Sequence, residues 1–194
     1  LAGTNFTLLY YFLIRRQPKR MLDDPEWRAY IGIILGITAL VVLIGMLSSD
    51  FPSLLQAIRY GMFQVVSILT TTGFGTADYE LWPVLCQYLL VFAMFIGGCA
   101  GSTGGGMKVA RILLLFKHAH VQIYRLIHPR AVRLVKLGHR PVDKEVMQSI
   151  LGFFALYLGV FVAASFIMAG VGMDLTSAAA SVVATLGNIG PGLG

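Results

Sequence analysis

Two uncharged stretches of the chain combine threonine, glycine and asparagine with apolar neighbours. They run Thr-Thr-Thr-Gly-Phe-Gly-Thr over residues 70–76 and Thr-Leu-Gly-Asn-Ile-Gly-Pro-Gly over 185–192. Neither stretch contains histidine, cysteine, lysine or a carboxylate, so neither supplies an acid–base pair for catalysis. Backbone carbonyl oxygens can replace the hydration shell of a cation, and glycine lets the backbone turn them towards it. These residue types therefore favour cation coordination.

The elements around these stretches have the composition of a membrane protein. Hydrophobic residues make up 57% of the 194 residues and charged residues only 12%, against about 25% charged residues in an average soluble domain. This composition excludes a disordered chain and a soluble globular enzyme. We predict an all-α polytopic membrane protein with spans at 29–47 and 146–173, a third that begins at 82–95, and half of another at 1–14. The chain begins without methionine inside an apolar run, so we expect it to be part of a longer protein.

Together with their flanking apolar residues, the two polar stretches are long enough to span a membrane. Their polar, glycine-rich composition is nevertheless unsuited to contact with lipid. Irregular backbone at membrane depth is tolerated only where protein buries it or where it lines a water-filled path. We therefore predict two re-entrant loops, each entered through a short helix, at 56–69 and 175–184. The C-terminal end of such a helix carries partial negative charge and favours a cation.

Charge indicates the orientation. Basic residues form two blocks between apolar segments, which the positive-inside rule assigns to the cytoplasm. The blocks are Arg15, Arg16, Lys19, Arg20 and Arg28, and Lys117, Arg125, Arg130, Arg133, Lys136, Arg140 and Lys144. The acidic residues Asp50, Asp78, Glu80 and Asp174 flank the polar stretches on the opposite side. A basic face on a soluble module is not evident, so we do not expect nucleic-acid binding.

An internal repeat is predicted from the order of these elements. An ungapped shift of 114 residues lays Ser67 on Ser181 and Gly73 on Gly187. The predicted organisation is the end of a preceding repeat with a cytoplasmic linker at 1–28, a complete span, pore loop and broken span at 29–116, a basic cytoplasmic loop at 117–144, and a span and pore loop that stop after the polar stretch at 145–194.

A third motif, Gly-Gly-Cys-Ala-Gly-Ser-Thr-Gly-Gly-Gly-Met-Lys, occupies residues 97–108 within the third span. Each glycine costs about 1 kcal/mol relative to alanine in a helix, so we predict a break here and a new helix from about Val109. Close helix packing through small residues is an alternative. A phosphate-binding loop is disfavoured because Met107 precedes Lys108 and Val109 stands where serine or threonine is needed.

Thr-Thr-Gly-Phe-Gly at 71–75 resembles the Thr-Val-Gly-Tyr-Gly filter of potassium channels. Together with the motif at 97–108 and Gly-Asn-Ile-Gly-Pro-Gly at 187–192, it resembles the membrane subunit of bacterial Trk-type potassium uptake systems, of the Trk/Ktr/HKT superfamily. The resemblance covers essentially the whole chain. It implies a potassium-channel-like fold of four repeats around one pore, and potassium uptake through a carbonyl-lined selectivity filter.

The resemblance also implies site residues. Two filter quarters would bind potassium through Thr71, Thr72, Gly73, Phe74, Thr185, Leu186, Gly187 and Asn188. A gate loop would comprise Gly101, Ser102, Thr103, Gly104, Gly105 and Gly106. Phe74 and Asn188 replace the channel tyrosine and Ile189 its second glycine, so weaker discrimination against sodium is expected.

The roles of the cytoplasmic residues remain open from the sequence. Lys108 either reaches lipid headgroups or braces the gate loop. A basic hairpin is predicted from Val132–Lys136 and Gly138 in loop 117–144. This loop either faces lipid headgroups without a further role or, as the resemblance implies, is the docking site of a cytosolic nucleotide-binding regulatory subunit. His118, His120, His128 and His139 are too dispersed to predict a metal site.

The resemblance further implies a homodimer in the bacterial inner membrane, with potassium as cargo and no organic cofactor. Two other classes of membrane protein fit the sequence less well. A cation-coupled solute symporter also uses broken helices but usually carries an intramembrane charge, which is not evident here. An intramembrane enzyme would need a base beside Ser102 or Thr103, and none is evident, so we do not predict an enzyme.

Overall fold

The computed structural model describes residues 2–49, 51–128, 133–138 and 140–193. Helices dominate these residues, with a two-stranded antiparallel hairpin within the basic loop 117–144. The elements are α1 Phe6–Leu13, α2 Pro18–Leu22, α3 Pro25–Leu47, α4 Leu54–Leu69, a 3₁₀ turn Tyr79–Leu81, α5 Val84–Met94, α6 Val109–Ile127, β1 Lys136–Leu137, β2 Arg140–Pro141, α7 Lys144–Gly170 and α8 Leu175–Leu186.

Within the described residues, α3 and α7 are long and apolar enough to cross a membrane. At the start of α3, Pro25 occupies the first turn, where its missing N–H costs nothing, and Asp24 accepts a hydrogen bond from the N–H of Trp27 at 2.8 Å. Only 11% of the most apolar 18-residue stretch of α7 is buried. Because its side chains are nearly all apolar, the outer face of α7 is suited to lipid.

The hydrophobic core lies where α3, α4, α5 and α8 meet. Its fully buried side chains include Val41, Ile68, Leu90, Met94 and Val183. These residues surround the C-terminal ends of the two short helices α4 and α8. The core therefore fixes the positions from which the two polar stretches leave their helices.

The third span is broken as the glycine content predicts. Helix α5 ends at Met94 and α6 begins at Val109. Between them the chain doubles back on itself: the N–H of Gly97 donates to the carbonyl of Met107 at 2.8 Å, and the N–H of Val109 donates to the carbonyl of Gly98 at 3.2 Å. Residues 97–108, the glycine-rich loop below, therefore form a loop closed at its base.

The basic hairpin turns at Gly138, where the sequence predicts a turn before Pro141. Its strands are Lys136–Leu137 and Arg140–Pro141, so the alternating segment 132–136 contributes only Lys136 to a strand among its described residues. The turn uses Gly138 with φ of +60°, a conformation that favours glycine. Pro129, Val132 and His139 lie outside the described residues, so the predicted helix break at Pro129 is not tested.

Candidate functional site

The chain leaves α4 in an irregular conformation that the final turn of the helix stabilises. Thr70 is the last residue with helical dihedral angles, and Thr71 follows with φ of +53°. Positive φ is rare for a β-branched residue. The N–H of Thr71 donates to the carbonyl of Ile68, and that of Thr72 to the carbonyl of Ser67, both at 2.9 Å. Residues 71–75 are called the α4 tail.

The chain leaves α8 in the same way. Gly187 is the last residue with helical dihedral angles, and Asn188 follows with φ of +54°. The N–H of Asn188 donates to the carbonyl of Thr185 at 3.0 Å, and that of Ile189 to the carbonyl of Ala184 at 2.9 Å. Residues 188–192, the α8 tail, therefore correspond to the α4 tail in both conformation and hydrogen bonding.

This correspondence corrects the register of the two stretches. The structure aligns Thr71 with Asn188 and Gly73 with Gly190, a shift of 117 residues rather than 114. Thr185 and Leu186, predicted to supply filter carbonyls, instead lie in the last turn of α8. The hydroxyl of Thr185 donates to the carbonyl of Ser181, one turn earlier in the same helix, at 2.7 Å.

A sequence signal for the correct register was present. Both tails contain Gly-x-Gly, at 73–75 and at 190–192, and the shift of 117 residues superposes these glycines. The shift of 114 residues matched the serine and threonine pattern of the helices instead. Among the predicted site residues of the second stretch, Gly187 is thus the cap of α8, and Asn188 is the first residue of its tail.

Left-handed residues occupy the first and third positions of both tails. They are Thr71 and Gly73 in one tail, and Asn188 and Gly190 in the other. In a regular strand successive peptide groups face opposite sides, whereas alternate left-handed residues favour carbonyls on a common side. The carbonyl of Phe74 also accepts a hydrogen bond from the hydroxyl of Ser67 at 2.6 Å. A row of carbonyls with one orientation is the arrangement that coordinates a dehydrated cation.

The two tails lie against each other. A Cβ atom on Gly73 would collide with the carbonyl oxygen of Ile189, so only glycine fits this contact. At the other end of the tails, the Tyr79 hydroxyl donates to the carbonyl of Gly192 at 2.5 Å. Burial raises the pKa of Tyr79 to about 12, which keeps this donor protonated. The structure therefore brings residues that are more than 110 positions apart into one site.

The glycine-rich loop contacts both tails. The N–H of Gly105 donates to the hydroxyl oxygen of Thr71 at 3.0 Å. A Cβ atom on Gly105 would collide with the carbonyl oxygen of Gly187, and it would lie 3.0 Å from the Cβ of Asn188. The segment 101–106 therefore occupies the space next to the start of each tail, and glycine at 105 allows this approach.

Lys108 contacts the loop that precedes it. Its ammonium group donates to the carbonyl and the hydroxyl of Ser102, each at 3.3 Å, and to the carbonyl of Gly104. These contacts lie within the loop, and the two roles left open by the sequence stay predictions. Arg111, one turn further on, instead lies over the ring of Phe153 in α7 at 4.1 Å.

Asp174 positions the start of α8. Its carboxylate accepts hydrogen bonds from the N–H groups of Thr176 and Ser177, both at 3.1 Å. Hydrogen bonding to Ser177 lowers the pKa of Asp174, and the side chain is fully exposed.

Among the described residues, no group of three or more histidine, cysteine or acidic side chains is placed to bind a metal ion.

Comparison with known proteins identifies the family. The family described as TrkH, cation transport protein, matches residues 1–194. The chain belongs to this family. Membership confirms the predicted Trk-type resemblance and the predicted multi-pass location in the bacterial inner membrane.

Several relatives match the whole chain. The Trk system potassium uptake proteins TrkH of Salmonella typhimurium and of Escherichia coli K12 are each 43% identical over 194 residues, which are 100% of this chain and 40% of each relative. The protein TrkG of Escherichia coli K12 is 36% identical over the same share. The chain thus spans 40% of the length of these curated relatives.

A solved structure has the same fold. The crystal structure of the potassium transporter TrkH from Vibrio parahaemolyticus matches with a TM-score of 0.93 and 42% identity, and the match covers 100% of this chain and 42% of that one. It supports the helical polytopic membrane class predicted from the sequence.

Proposed function

We propose that this chain forms part of a potassium uptake pathway in which backbone carbonyls select the ion. The observation that carries the proposal is the pair of matching tails, which have left-handed residues at alternate positions and lie side by side. The names of the relatives, potassium uptake proteins, are consistent with potassium as the cargo. The reaction moves an ion and makes no bond, so the chain is not an enzyme and needs no organic cofactor.

In this proposal each tail is one quarter of the filter. Residues 71–74 supply carbonyls of one quarter, as the sequence predicts. The second quarter is Asn188 with the three residues after it, rather than Thr185 and Leu186. The chain would then be one complete repeat flanked by parts of two others, and the remaining quarters would come from the rest of a longer parent protein.

The glycine-rich loop is the proposed gate, with Gly101–Gly106 as its moving part and Lys108 as its brace. Its contacts with Thr71 and Gly187 support this role, because a loop that touches the start of both tails can block the path of an ion that leaves them. We further propose that the full protein is a homodimer surrounded by lipid. A cytosolic nucleotide-binding subunit that docks on residues 117–144 would regulate its ion flux.

The filter is tested by measuring potassium and rubidium uptake in potassium-starved cells that lack their own uptake systems. The full-length parent protein is compared with its Gly73→Ser variant. The variant should lose affinity and potassium-over-sodium selectivity, because a side chain at this φ of +78° collides with Ile189.

Gly36→Ser is the matched control, since nothing lies within 4 Å of a Cβ at Gly36. It should transport like the parent. Equal kinetics of both variants would remove Gly73 from the filter. Absence of uptake by an inserted parent, with the regulatory subunit present, would contradict potassium uptake itself.

A further inference from the structure

Glu26 is a buried carboxylate whose contacts are made outside its own helix. It lies in the first turn of α3 and is 7% exposed. One carboxylate oxygen, Oε1, accepts two hydrogen bonds, from the N–H of Ala100 at 2.6 Å and from the N–H of Ala110 at 3.0 Å. These donors are 74 and 84 residues away in the sequence.

The two donors stand on either side of segment 101–106. Ala100 directly precedes the segment, and Ala110 is the second residue of α6. A single oxygen atom therefore connects the entry of the loop to its exit. Because both bonds come from backbone groups, they depend on where the loop ends lie and not on the side chains of the loop.

Glu26 also supplies a cap that α6 lacks. The residue at the cap position is Lys108, whose side chain makes no hydrogen bond to the first turn. The free N–H groups and partial positive charge of a helix N-terminus favour an acceptor with negative charge. Glu26 provides this acceptor from a different helix, and hydrogen bonds to an ionised acceptor are stronger than neutral ones.

Helix α3 does not need Glu26 for its own start. Asp24 already occupies the cap position and accepts the N–H of Trp27. Cytoplasmic residues 15–24, which contain α2, lead directly into this turn. A displacement of this junction would move the Glu26 carboxylate and the two loop ends with it.

We propose that Glu26 is a positioning residue that holds the two ends of segment 101–106 together and couples the glycine-rich loop to the cytoplasmic linker before α3. The hydrogen-bonding role stands on its own contacts. The consequence for ion flux rests on the proposed gating function, so the experiment reads the two separately.

The test compares Glu26→Ala, Glu26→Gln and Glu26→Asp in the full-length parent protein. Hydrogen–deuterium exchange is followed in peptides that cover residues 97–110, and rubidium flux is measured in proteoliposomes. Asp24→Asn is the matched control, because it removes an acidic charge from the same helix start without touching the loop.

Glu26→Ala should speed exchange in this region by about tenfold or more, since it leaves two backbone donors without an acceptor. Glu26→Gln keeps a side-chain oxygen at the same distance and should restore most of the protection. Glu26→Asp, one methylene shorter, should protect less than Glu26→Gln. Asp24→Asn should leave exchange at 97–110 unchanged, and the rubidium-to-potassium selectivity ratio should be the same in all variants.

Unchanged exchange in both Glu26→Ala and Glu26→Asp would overturn the proposal, as would an equal effect of Asp24→Asn. If Glu26→Ala does not fold, the comparison of Glu26→Asp with Glu26→Gln decides the same question. Faster hydrogen–deuterium exchange at 97–110 together with a several-fold rise in rubidium flux supports both the positioning role of Glu26 and the gating role of the loop. Faster exchange with unchanged flux supports the position of Glu26 and contradicts the gate alone.

Discussion

The hydroxyl of Tyr79 donates a hydrogen bond of 2.5 Å to the carbonyl oxygen of Gly192, across 113 residues of sequence. Tyr79 lies in the turn that follows the α4 tail, and Gly192 ends the α8 tail. The bond therefore connects the far end of the α8 tail to the turn that follows the α4 tail. At their helical ends the tails are joined instead through the contacts of Gly105 with Thr71 and Gly187.

Replacing Tyr79 by phenylalanine should weaken this outer connection. A hydrogen bond of this kind contributes about 1 kcal/mol, so we expect the α8 tail to become more mobile and sodium discrimination to fall by about fivefold. Potassium uptake at increasing sodium concentration measures the change. Tyr88→Phe is the matched control because Tyr88 is 56% exposed on α5. Equal effects of the two substitutions would contradict the role of the Tyr79 bond.

Thr71 connects the α4 tail to the glycine-rich loop through its hydroxyl. Thr71→Val keeps the β-branched shape at the same φ but leaves the N–H of Gly105 without its acceptor, which costs about 1–3 kcal/mol. We expect rubidium flux in the absence of the regulatory subunit to rise several-fold. Thr71→Ser retains the hydroxyl and should behave like the parent. Identical flux in the two variants would show that the bond does not hold the loop.

Shortening the loop tests whether it blocks the pathway. Deletion of residues 102–104 removes the apex, whereas the backbone bonds between Gly97 and Met107 and between Gly98 and Val109 remain. We expect high flux that no longer depends on regulation, measured with rubidium in proteoliposomes. Low flux from a folded, inserted variant would favour the packing role of the small residues instead.

Asp174 gives a pH-dependent prediction for the start of α8. Its folded-state pKa is lowered by hydrogen bonding to Ser177, so its stabilising effect is full above the ordinary aspartate pKa of about 3.9 and is lost as pH falls below that value. The midpoint of thermal unfolding of Asp174→Ala should therefore lie below that of the parent at pH 7. The two should converge as acid protonates the parent. A gap that persists in acid would assign the effect to something other than the carboxylate.

Local composition was sufficient to predict the helical membrane class and the break in the third span. The hydropathy of a segment is the sum over its own residues, and each glycine weakens the helix in which it stands. Neither feature therefore depends on residues far away in the sequence. For this reason the end of α5 and the restart of α6 at Val109 agree with the prediction.

Tertiary structure decided which residues meet. The end of α8 at Leu186, and hence the register of its tail, goes with the packing of Val182, Val183 and Ala184 in the core. The contacts of Glu26 with the loop ends, and of Tyr79 with Gly192, join residues from 74 to 113 positions apart. No local pattern encodes such contacts, because they depend on how the helices pack, and that packing places the Glu26 carboxylate beside two backbone donors.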